Sequence, residues 1–242
     1  MKSNIRTALL TFLGYKFASS NVGYIKYLLL MSQYPESSWQ PNLSGMGMGL
    51  SDAQFVVLDI ETTGASPFEG SSITEIGAIK VKGGVKLDSF NELINPGSSL
   101  PQYITNLTGI TDEMLYDKPG ISAVLPTFLE FIGEPSESIL VAHNSPFDIS
   151  FLKSAAKSIG ITWPNYRTID TVKFARYVIE RFEVANYKLS TLADFVGTST
   201  TPSHRAMKDV ESTVEVFHHL IERVAGFEVF TVPDLMNFLK IK

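Results

Sequence analysis

The chain has 242 residues, enough for one domain with a sizeable core, and 44% of them are hydrophobic. It has no cysteine. That excludes disulfides, cysteine-held zinc and iron–sulfur clusters, fits a reducing compartment such as the cytoplasm, and leaves Asp, Glu, His or Asn to hold any metal. The formal net charge of −5 does not advertise a nucleic-acid binder, but it is unevenly spread: residues 51–152 carry fourteen acidic and four basic side chains, and residues 153–208 carry four and nine. Ordinary solvated surface would give the same split.

Residues 1–50 are basic and end in "PESSWQPNLSGMGMGL", a Pro/Gly/Ser-rich linker by composition. Neither "ALLTFLGY" nor "YLLLM" approaches the roughly 20 apolar residues of a membrane span, and no clean apolar run precedes a small-residue cleavage site. The segment is expected to be a poorly ordered or short helical extension, with a functional chain starting at Met46 or Met48; its basic, Ser-containing composition also permits a transit peptide, although Arg is scarce. The main domain is expected over 51–242. There "FVVLDI" (55–60) reads as a central strand, apolar on both faces. "SITEIGAIKVKGG" and "KLDSFNELINP" read as two more strands joined at the Gly-Gly turn. "GISAVLPTFLEFIG" has helical spacing, "SILVAHN" is a buried strand, and "PFDISFLKSAAKSIG" is a helix stopped by Gly160. "RTIDTVKFARYVIERF" and "KLSTLADFVG" read as helical. "SHRAMKDVESTVEVFHHLIERV" reads as the longest helix, with Ser203 as N-cap and an apolar stripe of Met207, Val210, Val214, Phe217, Ile221 and Val224. The order of elements predicts an α/β fold.

The chemistry begins at the end of the first strand. Asp59 and Glu61 are two apart and point to the same side. Two close carboxylates repel, burying them unpaired is costly, and no Arg or Lys lies between Phe55 and Ser71 to pair with them. A divalent cation with a preference for hard oxygen ligands resolves the conflict; a strand end passing into solvent is the plainer alternative. Asp148 starts a helix, where an acid complements the dipole, yet it shares a face with Leu152, Ala155 and Ile159. Asp209 sits at the edge of the last helix's stripe and can aim at the sheet. His204, five residues earlier, is roughly 140° away on a helical wheel, so it belongs in the loop or first turn, able to swing over the site that Asp209 anchors. Beside an activated water, histidine is the natural general base among side chains.

Three stretches, "VVLDIETTG", "LVAHNSPFDISFL" and "HRAMKDVESTVEVF", together resemble the DEDDh 3′–5′ exonucleases, typified by the proofreading epsilon subunit of bacterial DNA polymerase III. The resemblance runs over about 53–225 and extends to "INPGSSLPQYITNLTGITDEML", "IDTVKFAR" and "KLSTLADFVG". The five-residue spacing from His204 to Asp209 marks the histidine branch; the tyrosine branch would have Tyr where Arg205 stands. One departure is Thr108, where many relatives have His.

The resemblance implies a ribonuclease-H-like mixed sheet flanked by helices. It also implies two Mg²⁺ or Mn²⁺ ions, bridged by Asp59, with Glu61 and Asp209 completing one site and Asp148 supporting them. His204 would deprotonate the attacking water. Thr62, Thr63 and Gly64, with His143, Asn144 and Phe147, would lie near the terminal nucleotide. The implied partner is nucleic acid with a free 3′ end, single-stranded DNA first. An exoribonuclease trimming RNA ends is the alternative in the same chemical class, and a binding module that has lost catalysis is the alternative outside it. After Val224 the sequence given is too short for an epsilon-type polymerase-binding tail and has no glutamine-led clamp motif, so a free-standing enzyme is expected over a dedicated subunit, with polymerase association left open.

Overall fold

The computed structural model describes residues 48–240. Of the extension expected over 1–50, residues 1–47 therefore lie outside the described residues, as does a start at Met46. The sheet has five strands: β1 (Gln54–Thr62), β2 (Ile73–Lys82), β3 (Val85–Leu93), β4 (Ser138–Ala142) and β5 (Arg167–Asp170), in the order β3-β2-β1-β4-β5. β1–β2 and β2–β3 are antiparallel, whereas β1–β4 and β4–β5 are parallel, so the sheet is mixed.

β1 is central because both of its faces are apolar. Val56, Leu58 and Ile60 point to one side, where they meet Val124, Leu125 and Phe128 of α3 (Ile121–Ile132) and Phe151 and Leu152 of α4 (Ser145–Ser158). Phe55 and Val57 point to the other, under α5 (Thr171–Val178), α6 (Leu189–Val196), α7 (Ala206–Val224) and α8 (Val232–Phe238), which contribute Phe174, Leu192, Phe217 and Leu235. Two short helices, α1 (Gln102–Thr108) and α2 (Asp112–Leu115), follow β3. No helix of the described residues is long and apolar enough to cross a membrane.

Several expectations change. The stretch 167–182 is not helical throughout: Arg167–Asp170 pairs with the free edge of β4, and α5 starts only after it. β-branched Thr168 and Ile169 suit the strand, and the Asp170 carboxylate ends it by accepting from Val172 N (2.8 Å) and Lys173 N (3.2 Å) as a helix cap. Ser203 does not cap α7, because His204 turns into the left-handed region (φ 54°) and the helix begins at Ala206. The buried stripe of α7 is also rotated from the one expected. It runs through Asp209, Val210, Thr213, Phe217, Leu220 and Val224, with Met207, Val214 and Ile221 only partly covered, so Asp209 lies inside the stripe and not at its edge. Residues 48–50, read from composition as linker, are hydrogen-bonded to the approach to α8: Leu50 N donates to Phe230 O, and Val232 N donates to Met48 O, each at 2.9 Å.

One feature of the register positions the site. β4 pairs with β1 only over Gln54–Val57. Beyond Val57, β1 runs on past the end of β4, and its last residues border open space at the carboxyl ends of the parallel strands. In open α/β sheets that is where ligands bind.

Candidate active site

Asp59 and Glu61 occupy the overhanging end of β1, on the face that α7 covers. Asp148 reaches the same place from the first turn of α4, where the chain leaves β4, and Asp209 arrives from the first turn of α7. Asp59 is half-buried, and Glu61, Asp148 and Asp209 are 8%, 2% and 8% exposed. His204 lies exposed in the turn before α7. Single donor atoms of Glu61, His204 and Asp209 all lie within 4.8 Å of one another. The five residues expected to carry the chemistry therefore converge, although Asp59 and Asp148 stand outside that tightest group.

The electrostatics are those of a site short of positive charge. Burial, and then repulsion from Asp148, Glu61, Asp209 and Glu75, holds the Asp59 carboxyl well above the usual carboxylate range. Burial pushes Glu61 up to about 8, reinforced by Asp209, Glu75 and Asp148 and opposed by Arg205. Burial also raises Asp148 to about 8, against backbone N–H groups of its own residue and Ile60 that favour the anion. Asp209 is raised by burial and partly relieved by the N–H of Ser203, which donates to its Oδ1 at 2.8 Å. Arg205, which opposes the rise of Glu61, is committed to Glu75, through Nη2 at 3.0 Å and Nε at 3.1 Å. A hard divalent cation is the group that this oxygen-rich donor set fits.

The carboxylates floor a cleft of about 340 Å³. Of the expected substrate contacts, Thr62, Gly64, His143 and Phe147 line it, and Thr63 and Asn144 do not. The Thr62 hydroxyl donates to Gly64 O (2.7 Å), and the Thr63 hydroxyl accepts from Ser72 N (2.9 Å), so both shape the loop. Asn144 is exposed in a left-handed turn (φ 67°) and its carbonyl accepts from Phe147 N. His143 Nδ1 lies 2.9 Å from Thr171 Oγ1, and burial lowers its pKa to about 4, so it is a neutral polar wall at pH 7.

The opposite wall comes from α1: Tyr103, Ile104, Leu107 and Thr108. Tyr103 and Leu107 are exposed at the rim. Sequence reasoning assigned them no role. Their i, i+4 spacing was the available signal, but a seven-residue helix gives too little periodicity to read. Thr108, 4% exposed, donates to Ile104 O (2.9 Å) and accepts from Ile110 N (3.1 Å), so its hydroxyl is occupied in closing α1.

The RNase_T exonuclease family matches residues 56–217. The chain belongs to that family. It is 45% identical over 199 residues to a Mycobacterium tuberculosis protein assigned as a bifunctional exonuclease/endonuclease, covering 79% of this chain and 30% of that protein. It is 37% identical over 215 residues to the DNA polymerase III PolC-type of Caldanaerobacter subterraneus subsp. tengcongensis, covering 89% of this chain and 15% of the polymerase. The chain thus spans less than a third of the length of these relatives. Solved exonuclease structures share its fold. Exonuclease X in complex with 5′-overhanging duplex DNA aligns at a TM-score of 0.59 and 21% identity, over 76% of this chain and 99% of that one. E. coli exonuclease I in complex with an oligonucleotide aligns at 0.63 and 16%, over 77% and 43%. The fold is ribonuclease-H-like, as the motifs implied. The family is divalent-metal dependent, and the acidic group of this cleft fits that chemistry.

Proposed function

We propose that this family member is a 3′–5′ exonuclease that removes nucleoside 5′-monophosphates from the 3′ end of single-stranded DNA, using two Mg²⁺ or Mn²⁺ ions, in the cytoplasm. The observation that carries the reading is the convergence of Asp59, Glu61, Asp148 and Asp209 on one cleft with His204 at its mouth. Asp59 and Glu61 on the strand, with Asp209 and in support Asp148, would hold the ions. When bound, the ions supply positive charge that stabilises the entering and leaving oxygens of phosphodiester hydrolysis.

The chain's own groups do the rest. His204 takes the proton of the attacking water on its ring nitrogen and, being exposed, passes it to solvent. Phe147, Tyr103 and Leu107 form the apolar walls against which the terminal base packs. The 62–64 segment borders the terminal nucleotide through Thr62 and Gly64, which line the cleft. Neutral His143 approaches the sugar-phosphate as a hydrogen-bonding group and adds no charge. The catalytic unit is the domain expected over 51–242, together with the tethered 48–50. DNA-bound neighbours of the same fold and the polymerase-type relatives favour DNA over RNA. The test is digestion of 5′-labelled single-stranded DNA, duplex DNA and RNA side by side in Mg²⁺. A ladder shortening from the 3′ end, fastest on single-stranded DNA, is expected; faster loss of RNA would replace the DNA reading with the exoribonuclease one.

A further inference from the structure

Glu75 is 1% exposed on β2, directly opposite Glu61 in the β1–β2 register. It has no place among the four carboxylates assigned to metal, and a fifth acid there adds to their repulsion. Its own partners lie elsewhere. Its Oε1 accepts from Arg205 Nη2 (3.0 Å), and its Oε2 accepts from both Arg205 Nε (3.1 Å) and the backbone N–H of Ala206 (3.1 Å), the first residue of α7. Two residues along the same face of β2 is Gly77. A Cβ there would stand 2.7 Å from the carbonyl carbon of Ala206 and 2.8 Å from Met207 N. Only glycine lets the start of α7 settle this closely on the strand.

The other end of the same turn is also held, because Ser203 N donates to Asp209 Oδ1 at 2.8 Å. The segment Ser203–Ala206 is therefore fastened on both sides, and between the fastenings His204 adopts φ 54°. A non-glycine residue takes up that left-handed conformation at a cost and keeps it only where its surroundings over-determine it. Here the surroundings are Asp209 before it and Glu75 with Gly77 after it. We propose that Glu75, acting through Arg205 and Ala206, is a positioning residue that holds His204 over the cleft. The inference rests on the reading of His204 as general base.

The test compares single-turnover cleavage of a 5′-labelled oligonucleotide in Mn²⁺ by Glu75→Ala, Glu75→Gln, Arg205→Gln, His204→Ala and the double variant Glu75→Ala/His204→Ala. Backbone ¹³C shifts of residue 204 in the metal-free protein, which report its φ, are recorded in parallel. Glu75→Ala is expected to slow the chemical step about 10–10²-fold while 3′-end binding holds within about threefold. Glu75→Gln keeps most activity, because its amide oxygen can still accept from Ala206 N and Arg205 Nε. The double variant should be no slower than His204→Ala alone, since a misplaced base and a missing one are equivalent. The residue 204 shifts should leave the left-handed range in Glu75→Ala and stay there in Glu75→Gln. Arg205→Gln, at a partly exposed position, should reproduce the pattern in milder form if Glu75→Ala folds poorly. Fully multiplicative losses in the double variant, or a slow Glu75→Ala whose residue 204 shifts are unchanged, would overturn the proposal. A wild-type rate for His204→Ala would overturn the base assignment instead, and the shifts would still decide whether Glu75 holds the turn.

Discussion

Asp148→Asn should stabilise the metal-free protein near neutral pH. Asp148 is 2% exposed, and burial moves its pKa from 3.8 to about 8. A carboxyl whose folded pKa is raised carries no penalty below its unfolded pKa. The penalty then grows as pH climbs towards the folded pKa and is complete above it. The window is thus about pH 4 to 8, and each unit of it is worth about 1.4 kcal/mol. At pH 7 the gap from 3.8 corresponds to a penalty of about 4 kcal/mol. Asparagine removes the charge and stands in for the neutral carboxyl; the backbone N–H groups that favour the anion already act within the folded value of about 8. The gain is on the order of 4 kcal/mol. For a folded region of this size that raises the Tm by about 8–16 °C at pH 7 and by almost nothing at pH 4. Thermal unfolding in chelator, followed by circular dichroism from pH 4 to pH 8, measures it. Adding Mn²⁺ at pH 7 should reverse the order, because the wild-type cluster binds the ion and the variant does so poorly. A variant that melts below wild type across the whole range, or a gap that does not widen with pH, would refute the burial argument.

Three further outcomes follow from the same geometry. His204→Ala should keep Mn²⁺ and 3′-end binding while single-turnover cleavage falls about 10²–10⁴-fold near neutral pH, with partial recovery as pH rises and hydroxide from solution takes the place of the lost base; a wild-type rate at pH 7 contradicts this. Asp59→Ala should abolish Mn²⁺ binding in calorimetry along with cleavage, and a retained Mn²⁺ isotherm would remove Asp59 from the metal set. A chain beginning at Met46 should fold and cleave short oligonucleotides as the full chain does, because it keeps the hydrogen bonds from 48–50 to Phe230 and Val232. One beginning at Ala53 should melt earlier, and equal melting of the two would show those bonds to be dispensable.

The chemistry of the cleft was far more legible than its walls. Asp59 and Glu61 could be read because a strand's period of two places them on one side at the end of an apolar run, where a pair of charges needs a reason. Asp148 and Asp209 could be read because each is an acid on an apolar helical face. The rotation of α7 was missed because Met207, Val214 and Ile221 are as hydrophobic as the residues actually buried, and hydrophobicity alone cannot say which edge of a broad stripe faces the sheet. β5 is not legible, since four residues carry too little pattern to oppose the helical run that follows. The Glu75–Arg205 pair spans 130 positions, and nothing local announces a contact of that kind. The positive φ of His204 follows from those distant fastenings, which no local pattern after Ser203 encodes.

The central claim is that this carboxylate cluster must be neutralised by divalent metal before the chain can remove nucleotides from a 3′ end. One sample tests it directly. Purified protein in excess chelator is mixed with 5′-labelled single-stranded DNA, sampled, then supplied with Mg²⁺ or Mn²⁺ beyond the chelator and sampled again, with the released products separated by chromatography. The account predicts intact label before the metal is added, and a ladder shrinking from the 3′ end with nucleoside 5′-monophosphates after it. Cleavage in full chelator, or release of nucleoside 3′-monophosphates, would contradict it.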